Sequence, residues 1–257
     1  MYTIRKVFII NIGTELLIGR TLNGNLLWLG SRIYDRGGEV VGSITVHDRY
    51  DDIHYALGCA TARSPDAIIT TGGLGPTYDD ITMDAVARWL GRKLVLNPDA
   101  LDFMQRLRPP ASEESKKAYE KMAMLPEGSM PLFNYVGAAP GAIVSYGETR
   151  IFVLPGVPAE MRDMFQRYIE PFLGSYGARG IVSLIRGIYE AQISPLIAKI
   201  AKEHPEVYIK SHPGMEAGRS VLRVEIWTQS GNADLEKLYK EIEEYVRAHN
   251  GEIERTA

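Results

Sequence analysis

Residues 67–90, AIITTGGLGPTYDDITMDAVARWL, decide the reading of this chain. Ile68 and Ile69, followed by two threonines, have the β-branched bias of an interior strand. Gly72, Gly73 and Gly75 then remove the side chains that would hold a ligand away from the main chain, which opens amide N–H groups to an anion. Downstream, Ile81, Ala85, Val86, Trp89 and Leu90 recur at helical spacing, and Gly91 suits the helix end. Asp79, Asp80 and Thr82 are each N-cap candidates. A helix starting there turns its positive end towards whatever the glycines cradle.

The loop differs from its better-known relatives. It lacks the Gly-Lys-Ser/Thr of a P-loop, and Tyr78 stands where a dinucleotide fingerprint has its third glycine. Two adjacent aspartates beside a phosphate would repel it unless a divalent cation lies between them, and Mg²⁺ or Mn²⁺ with carboxylate and water ligands is the usual arrangement. The competing reading is structural: one aspartate caps the helix and the other is solvated.

Upstream, residues 6–12 read as a buried strand, followed by Gly13-Thr14-Glu15, a helix over 23–34 closed by Gly37 and Gly38, and a strand over 39–46. That rhythm makes a right-handed βαβ crossover, so these strands end on the same edge of a mostly parallel sheet. A helix over 51–62 leads to the 67–71 strand. Glu15, Asp48 and the glycine loop are thereby brought to one rim, where open α/β sheets bind ligands. Taken singly, Glu15 fits a turn and Asp48 fits a helix cap equally well.

Downstream of Gly91, residues 93–96 read as a short strand and Pro98 opens a helix with Leu101, Met104 and Leu107 on one face. Arg108-Pro109-Pro110 breaks it. Residues 112–124 form a polar segment carrying Lys116 and Lys117, either a solvated helix surface or, through Lys116, a phosphate contact. Residues 142–146 and 150–154 alternate around a Gly147-Glu148 turn as a hairpin. Pro155-Gly156-Val157-Pro158 is a stiff loop into a helix reaching Ile169. Residues 174–177, GSYG, form the expected linker between a domain at 1–174 and a small one at 178–257. In the latter, strand 181–186, helix 191–203, strands 207–210 and 220–228, helix 233–249 and a strand at 252–255 suit a ferredoxin-like α+β layer. No chemistry is legible in it.

Composition excludes several classes. The 257 residues are 45% hydrophobic with a formal charge of −3, enough for a large and a small domain and without the basic cluster that nucleic acid requires. The N-terminal MYTIRKVFII lacks a signal-peptide pattern and no window approaches a membrane span, so a cytoplasmic protein is expected. Cys59 is the single cysteine, on a helix among apolar neighbours, where a small buried residue is expected rather than a nucleophile. The five histidines are scattered without zinc-site pairing, and no Gly-x-Ser-x-Gly turn is present.

The glycine stretch Thr71 to Thr82 resembles the signature of the molybdopterin-binding (MoaB/Mog-like) domain in its CinA-type, competence/damage-inducible variant. So do Gly13-Thr14-Glu15-Leu16-Leu17 with Gly19 and Asn23, Lys116-Lys117-Ala118, Leu125-Pro126-Glu127-Gly128, Val136 to Gly141, and Leu154 to Glu160, all in the family's order. The resemblance implies a three-layer MoaB/Mog-like α/β domain followed by the small ferredoxin-like one. It implies that Asp48 and Asp80 are the acidic pair of the active site, with Glu15 and Asp79 as further ligands of a divalent metal (Mg, Mn or Co). It also implies a binding pocket walled by Gly72, Gly73, Leu74, Gly75, Pro76 and Thr77, with Lys116, Gly141, Pro155, Gly156, Pro158 and Glu160. The chain departs from the family's usual pattern at Lys117, where glutamine is common, and at Ala138, where threonine is.

The activity implied is metal-dependent hydrolysis of a nucleotide pyrophosphate, ADP-ribose to AMP and ribose 5-phosphate. The alternatives are molybdopterin binding or adenylyl transfer, and a regulator that binds nucleotide without turnover. A homo-oligomer, a dimer in the first place, is expected. In longer CinA proteins an amidase domain follows; with the sequence ending at Ala257, that activity is not carried over.

Overall fold

β1 (Lys6–Ile12) is buried at every position after Lys6, the pattern of a central parallel strand covered on both faces. Alternate residues serve opposite cores. Phe8, Ile10 and Ile12 join one apolar cluster, whereas Val7 and Ile9 join the other. The computed structural model describes residues 3–174, 177–216 and 218–256. Two units, Met1–Gly174 and Ser175–Ala257, separate by their internal contacts, and the expected linker falls in part on Ser175 and Tyr176, outside the described residues.

In the first unit β1 is followed by α1 (Thr14–Leu17), α2 (Gly24–Asp35), β2 (Glu39–Val46), α3 (Tyr50–Thr61), β3 (Ala67–Thr71) and α4 (Thr82–Trp89). Then come β4 (Leu94–Leu96), α5 (Pro98–Leu107), α6 (Glu113–Met122), β5 (Met124–Pro126), β6 (Met130–Leu132), β7 (Gly141–Tyr146), β8 (Thr149–Leu154) and α7 (Pro158–Tyr168). The main sheet runs β2-β1-β3-β8-β7-β6. Its first four strands are parallel, and β7 and β6 are antiparallel additions. Residues of α3 and α4 pack in one core cluster, while those of α2 and α7 pack in the other, so helices cover both faces in three layers. From β1 the chain goes to β2 on one side and later to β3 on the other. The carboxyl ends of β1 and β3 are therefore a topological switch point.

Expected and observed elements agree closely; the short α1 (Thr14–Leu17) and β5 (Met124–Pro126) were not anticipated, and three further differences have a physical reason. Helix α4 is capped by none of the polar candidates: Ile81 holds the N-cap position without a side-chain hydrogen bond, because the aspartate carboxylates turn back onto the loop. Strand β6 was not anticipated; it is an edge strand, where Pro131 is tolerated. In the second unit the strand expected at 207–210 continues as far as Glu216.

The second unit comprises β9 (Arg179–Arg186), α8 (Glu190–Glu203), β10 (Val207–Glu216), β11 (Arg219–Thr228), α9 (Leu235–Ala248) and β12 (Glu252–Arg255). Its strands are ordered β10-β11-β9-β12 and all pair antiparallel, which is the ferredoxin-like βαββαβ arrangement. Both helices pack on one core with the sheet. β10 outruns its expectation because it is an edge strand, where Pro213 does not interrupt a ladder that needs its N–H.

Candidate functional site

The loops leaving β1, β2, β3 and β8 surround a cleft of about 420 Å³ at the switch point. Its floor is the glycine loop. Gly72 donates its N–H to the Leu154 carbonyl, and an ideal Cβ on it would lie 2.0 Å from the Ile12 carbonyl oxygen at a φ of +108°, so only glycine fits. The Thr82 hydroxyl, fully buried, donates to the Gly72 carbonyl at 2.8 Å, and the Thr82 N–H donates to that of Gly73 at 3.1 Å. These bonds fasten the start of α4 to the turn. Gly73, Leu74 and Gly75 all line the cleft. Among the described residues, their amide N–H groups donate to no protein acceptor. Buried or half-buried main-chain donors are nearly always paired, so three successive open ones leave unused donors on the cleft floor.

Around this loop stand carboxylates, and Asp48, Asp79 and Asp80 are each held by a threonine. Asp48 Oδ2 accepts from the Thr14 N–H at 2.8 Å and from the Thr14 hydroxyl at 3.0 Å. Asp80 Oδ2 accepts from the Thr77 N–H at 2.9 Å and lies 2.6 Å from its hydroxyl. The same hydroxyl also meets Asp79 Oδ1. One hydroxyl carries one proton, so the two aspartates share it. The Thr77 bond, followed by a main-chain bond and the nearby Lys121 charge, holds the Asp79 carboxyl below its ordinary range. Glu15 lines the opposite side, packed against Gly13, whose hydrogen occupies space that a Cβ would contest with the carboxylate.

Pro155 and Gly156 form the far wall, where Asn25 Nδ2 donates to the Gly156 carbonyl at 2.8 Å. Glu160 also lines the cleft, and the buried Asn134 holds it at 2.6 Å. Asn134 is the hub of that wall: its Nδ2 also donates to the Ala139 carbonyl, and its Oδ1 accepts from the Val136 and Gly137 amides. A single asparagine in the mainly apolar stretch 133–140 gave no such signal in the sequence.

The structure therefore brings together Glu15, Asp48, Gly72, Gly73, Leu74, Gly75, Pro76, Thr77, Asp79, Asp80, Pro155, Gly156 and Glu160. Three expected residues lie off the lining. Gly141 is buried in β7, where its hydrogen faces the Val153 carbonyl oxygen and Met164. Pro158 opens α7 at its first turn. Lys116 is exposed on α6 away from the cleft. The lysine that reaches the loop is Lys121, whose ammonium donates to the Thr77 carbonyl. Its signal was available: Lys121-Met122-Ala123 repeats the Lys-x-Ala spacing of Lys116 to Ala118, directly before Met124 and Leu125, and Met122 lines the cleft.

Hard carboxylate oxygens suit a cation such as Mg²⁺, which takes only one or two of them and fills its remaining positions with water and substrate oxygens. Asp48 and Asp80 each keep one oxygen without a hydrogen bond among the described residues. Among those residues no group of three or more His, Cys, Asp or Glu side chains is gathered for a metal, so the expected ligand set of Asp48, Asp80, Glu15 and Asp79 is not assembled as one cluster, although all four line the cleft. A cavity of about 560 Å³ in the second unit is lined by Arg186, whose guanidinium is already paired with Glu216 and Glu254.

Residues 8–175 match the family model described as "probable molybdopterin binding domain". The chain belongs to that molybdopterin-binding domain family, and its first unit has the MoaB/Mog-like α/β fold. Within the family it is of CinA type: it is 32% identical to the protein CinA, of unknown function, from Thermoplasma acidophilum. That structure aligns with a TM-score of 0.61 over 66% of this chain and 99% of the other. A protein of Aeropyrum pernix is 42% identical over 253 residues, 93% of this chain and 94% of that one. One of Pyrobaculum calidifontis is 40% identical over 228 residues, 87% of each. No helix among the described residues is long and apolar enough to cross a membrane.

Proposed function

We propose that the cleft binds a small phosphate-bearing heterocyclic ligand, a pterin phosphate of the molybdopterin class in the first place. The observation that carries this reading is the run of open amides at Gly73, Leu74 and Gly75 on the cleft floor. Successive open N–H groups in a turn with Gly72 and Gly73 at positive φ complement anionic oxygens such as those of a phosphate. Membership of the molybdopterin-binding family supports the pterin. Lys121, beside the loop, supplies the one cationic side chain bonded to it among the described residues.

A second reading, hydrolysis of a nucleotide diphosphate such as ADP-ribose, is favoured by the carboxylates. Five of them, Glu15, Asp48, Asp79, Asp80 and Glu160, line the rim, a repulsive setting for a diphosphate unless countercharge is present. Asp48 and Asp80 would hold a divalent cation (Mg, Mn or Co), with Glu15 and Asp79 near it. When bound, such a cation lowers the pKa of a coordinated water and offsets charge on phosphoryl oxygens. The protein's own part is then to fix the diphosphate on the loop amides and to orient Asp80 through Thr77.

One experiment separates the readings. The purified chain is titrated calorimetrically with a pterin phosphate, ADP-ribose and ATP, and each mixture is incubated with Mg²⁺, Mn²⁺ or Co²⁺ and its products separated. Binding of the pterin phosphate without turnover supports the first reading. AMP and ribose 5-phosphate from ADP-ribose support the second, and ATP consumption that requires the pterin indicates adenylyl transfer. Tight nucleotide binding with no product under any metal indicates a regulator. If no phosphate compound binds, the cleft is not a ligand site. A homodimer in the cytoplasm is part of the proposal, tested by light scattering and cell fractionation.

A further inference from the structure

Each of the two larger sheets has two edge strands, and three of these four are blunted against pairing with another chain. β6 is short and holds Pro131, β12 is short and carries Glu252, Glu254 and Arg255, and β10 carries Lys210 and Pro213. β2 is different: residues 40–46, VVGSITV, contain no charge and no proline. Its register with β1 slips between Val40 and Gly42, which makes residue 41 a bulge, and 42–46 beyond it is regular. The Val46 carbonyl faces β1, where it accepts from the Gly13 N–H at 3.0 Å. Main-chain groups of successive strand residues alternate between the two sides. Gly42, Ile44 and Val46 therefore bond towards β1, whereas Ser43 and Thr45 turn their N–H and C=O groups outward, with no main-chain partner among the described residues.

The helix beside this edge is apolar and open on the matching side. Asn25 of α2 bonds the Gly156 carbonyl, Trp28 meets the Phe165 ring edge-on at 5.4 Å and Arg32 binds Glu170, so that side of α2 turns towards α7. At about 100° per residue, Leu27 and Gly30 lie on the side away from those three. Because α2 crosses from β1 to the edge strand β2, that side looks over the open edge. Leu27 is 73% exposed, and a Cβ on Gly30 would meet nothing within 4 Å. Leu22, 86% exposed, is held beside the strand by its neighbour Asn23, whose Nδ2 donates to Thr45 Oγ1 at 3.4 Å. Exposed aliphatic side chains gathered along an unpaired edge mark a contact with another chain.

We propose that this edge pairs with the same edge of a second copy, the two β2 strands running antiparallel about a two-fold axis at Ile44. Ser43 of each copy then lies opposite Thr45 of the other, and their outward N–H and C=O groups bond one another, which continues the sheet from one copy into the next. The axis stands normal to the sheet, so both α2 helices lie on the same face and meet along Leu27, with Gly30 leaving room for the approach. Charge favours a second copy as the occupant. Glu39 begins β2 and Arg49 follows its end, both exposed and neither in an ion pair among the described residues. Antiparallel pairing brings Glu39 of each copy alongside Arg49 of the other, so the strand supplies its own complement at both ends of the seam. The inference fixes the surface of the homodimer proposed above and is independent of what the cleft binds.

The test uses the full chain, with sedimentation velocity over a range of concentrations and amide hydrogen exchange. The unaltered protein should sediment as a dimer, with the Ser43 and Thr45 amides protected and losing that protection on dilution to monomer. Leu27→Glu, at an exposed position that does not threaten folding, sets two carboxylates face to face across the seam and should raise the dissociation constant ~10-fold or more. Glu39→Arg and Arg49→Glu should each raise it by about 10-fold, since both cross-strand pairs turn from attraction to repulsion, and the double exchange should restore it. A dimer unmoved by these substitutions, or one whose Ser43 and Thr45 amides exchange freely, overturns this surface and leaves the homodimer standing on another. A trimer has no two-fold axis and overturns it as well. A monomer at every concentration overturns both the surface and the homodimer, and leaves the edge to a strand of another protein; binding in the cleft is untouched by any of these results.

Discussion

Gly72→Ala puts the architecture under the cleft to the test. Gly72 has a φ of +108°, and a Cβ there would sit 2.0 Å from the carbonyl oxygen of Ile12. That oxygen belongs to the end of central strand β1, so it cannot rotate away as a side chain would. Gly156 also packs closely, since its own ideal Cβ lies 3.2 Å from the Gly72 Cα. The backbone strain of a non-glycine residue here is about 1–3 kcal/mol, and forced overpacking adds about 1–3 kcal/mol. The expected loss is therefore ~2–6 kcal/mol, a large part of the ~5–15 kcal/mol that holds a domain folded. Gly91→Ala is the control: its φ is +65° but nothing lies within 4 Å, so only the conformational term remains, about 1–2 kcal/mol. Urea unfolding of the full chain, followed by the fluorescence of Trp28 and Trp89 in the first unit, reads both. The Gly72 variant should lose clearly more midpoint stability and should lose pyrophosphate binding. A Gly72 variant as stable as the Gly91 one, with binding intact, would refute the packing argument.

Lys121→Met should weaken pyrophosphate binding by roughly 5- to 10-fold and flatten its salt dependence, whereas Lys116→Met should change neither; calorimetry at two ionic strengths checks both. Thr77→Val should raise the Asp79 pKa towards the ordinary carboxylate range, seen by carboxyl ¹³C titration. Because the folded pKa is depressed, the bond contributes to stability above the unfolded value and is lost as pH falls through the folded one, so the variant should forfeit that contribution already at neutral pH. Asn134→Leu should destabilise the first unit by ~2–4 kcal/mol, since it strands the Val136 and Gly137 amides and the Glu160 carboxylate. Faster amide exchange at Val136 and Gly137 would show that loss directly.

Much of the fold was legible because its strands are covered on both faces. The expected ranges for β1 and β2 coincide with the observed ones, each an apolar or β-branched run closed by a turn or glycines. The rim was legible too, since the βαβ rhythm alone places Glu15, Asp48 and the glycine loop at carboxyl ends of neighbouring strands. What stayed hidden depends on side-chain direction. Asp80 has the composition of a cap and instead turns back to Thr77, which no periodicity encodes. Lys116 and Lys121 sit in matching triplets on one helix, five residues apart, and helical rotation gives them different faces. Asn134 organises a wall through four hydrogen bonds that appear only once the 134–139 loop has closed on α7.

The most direct measurement is the amide ¹H–¹⁵N spectrum of the first unit's loop, recorded on the full chain during titration with pyrophosphate and then with a pterin phosphate. If the turn after β3 is an anion nest, the resonances of Gly73, Leu74 and Gly75 move downfield together and saturate with the calorimetric affinity. Saturable binding that leaves those three amides in place, while others shift, would contradict it.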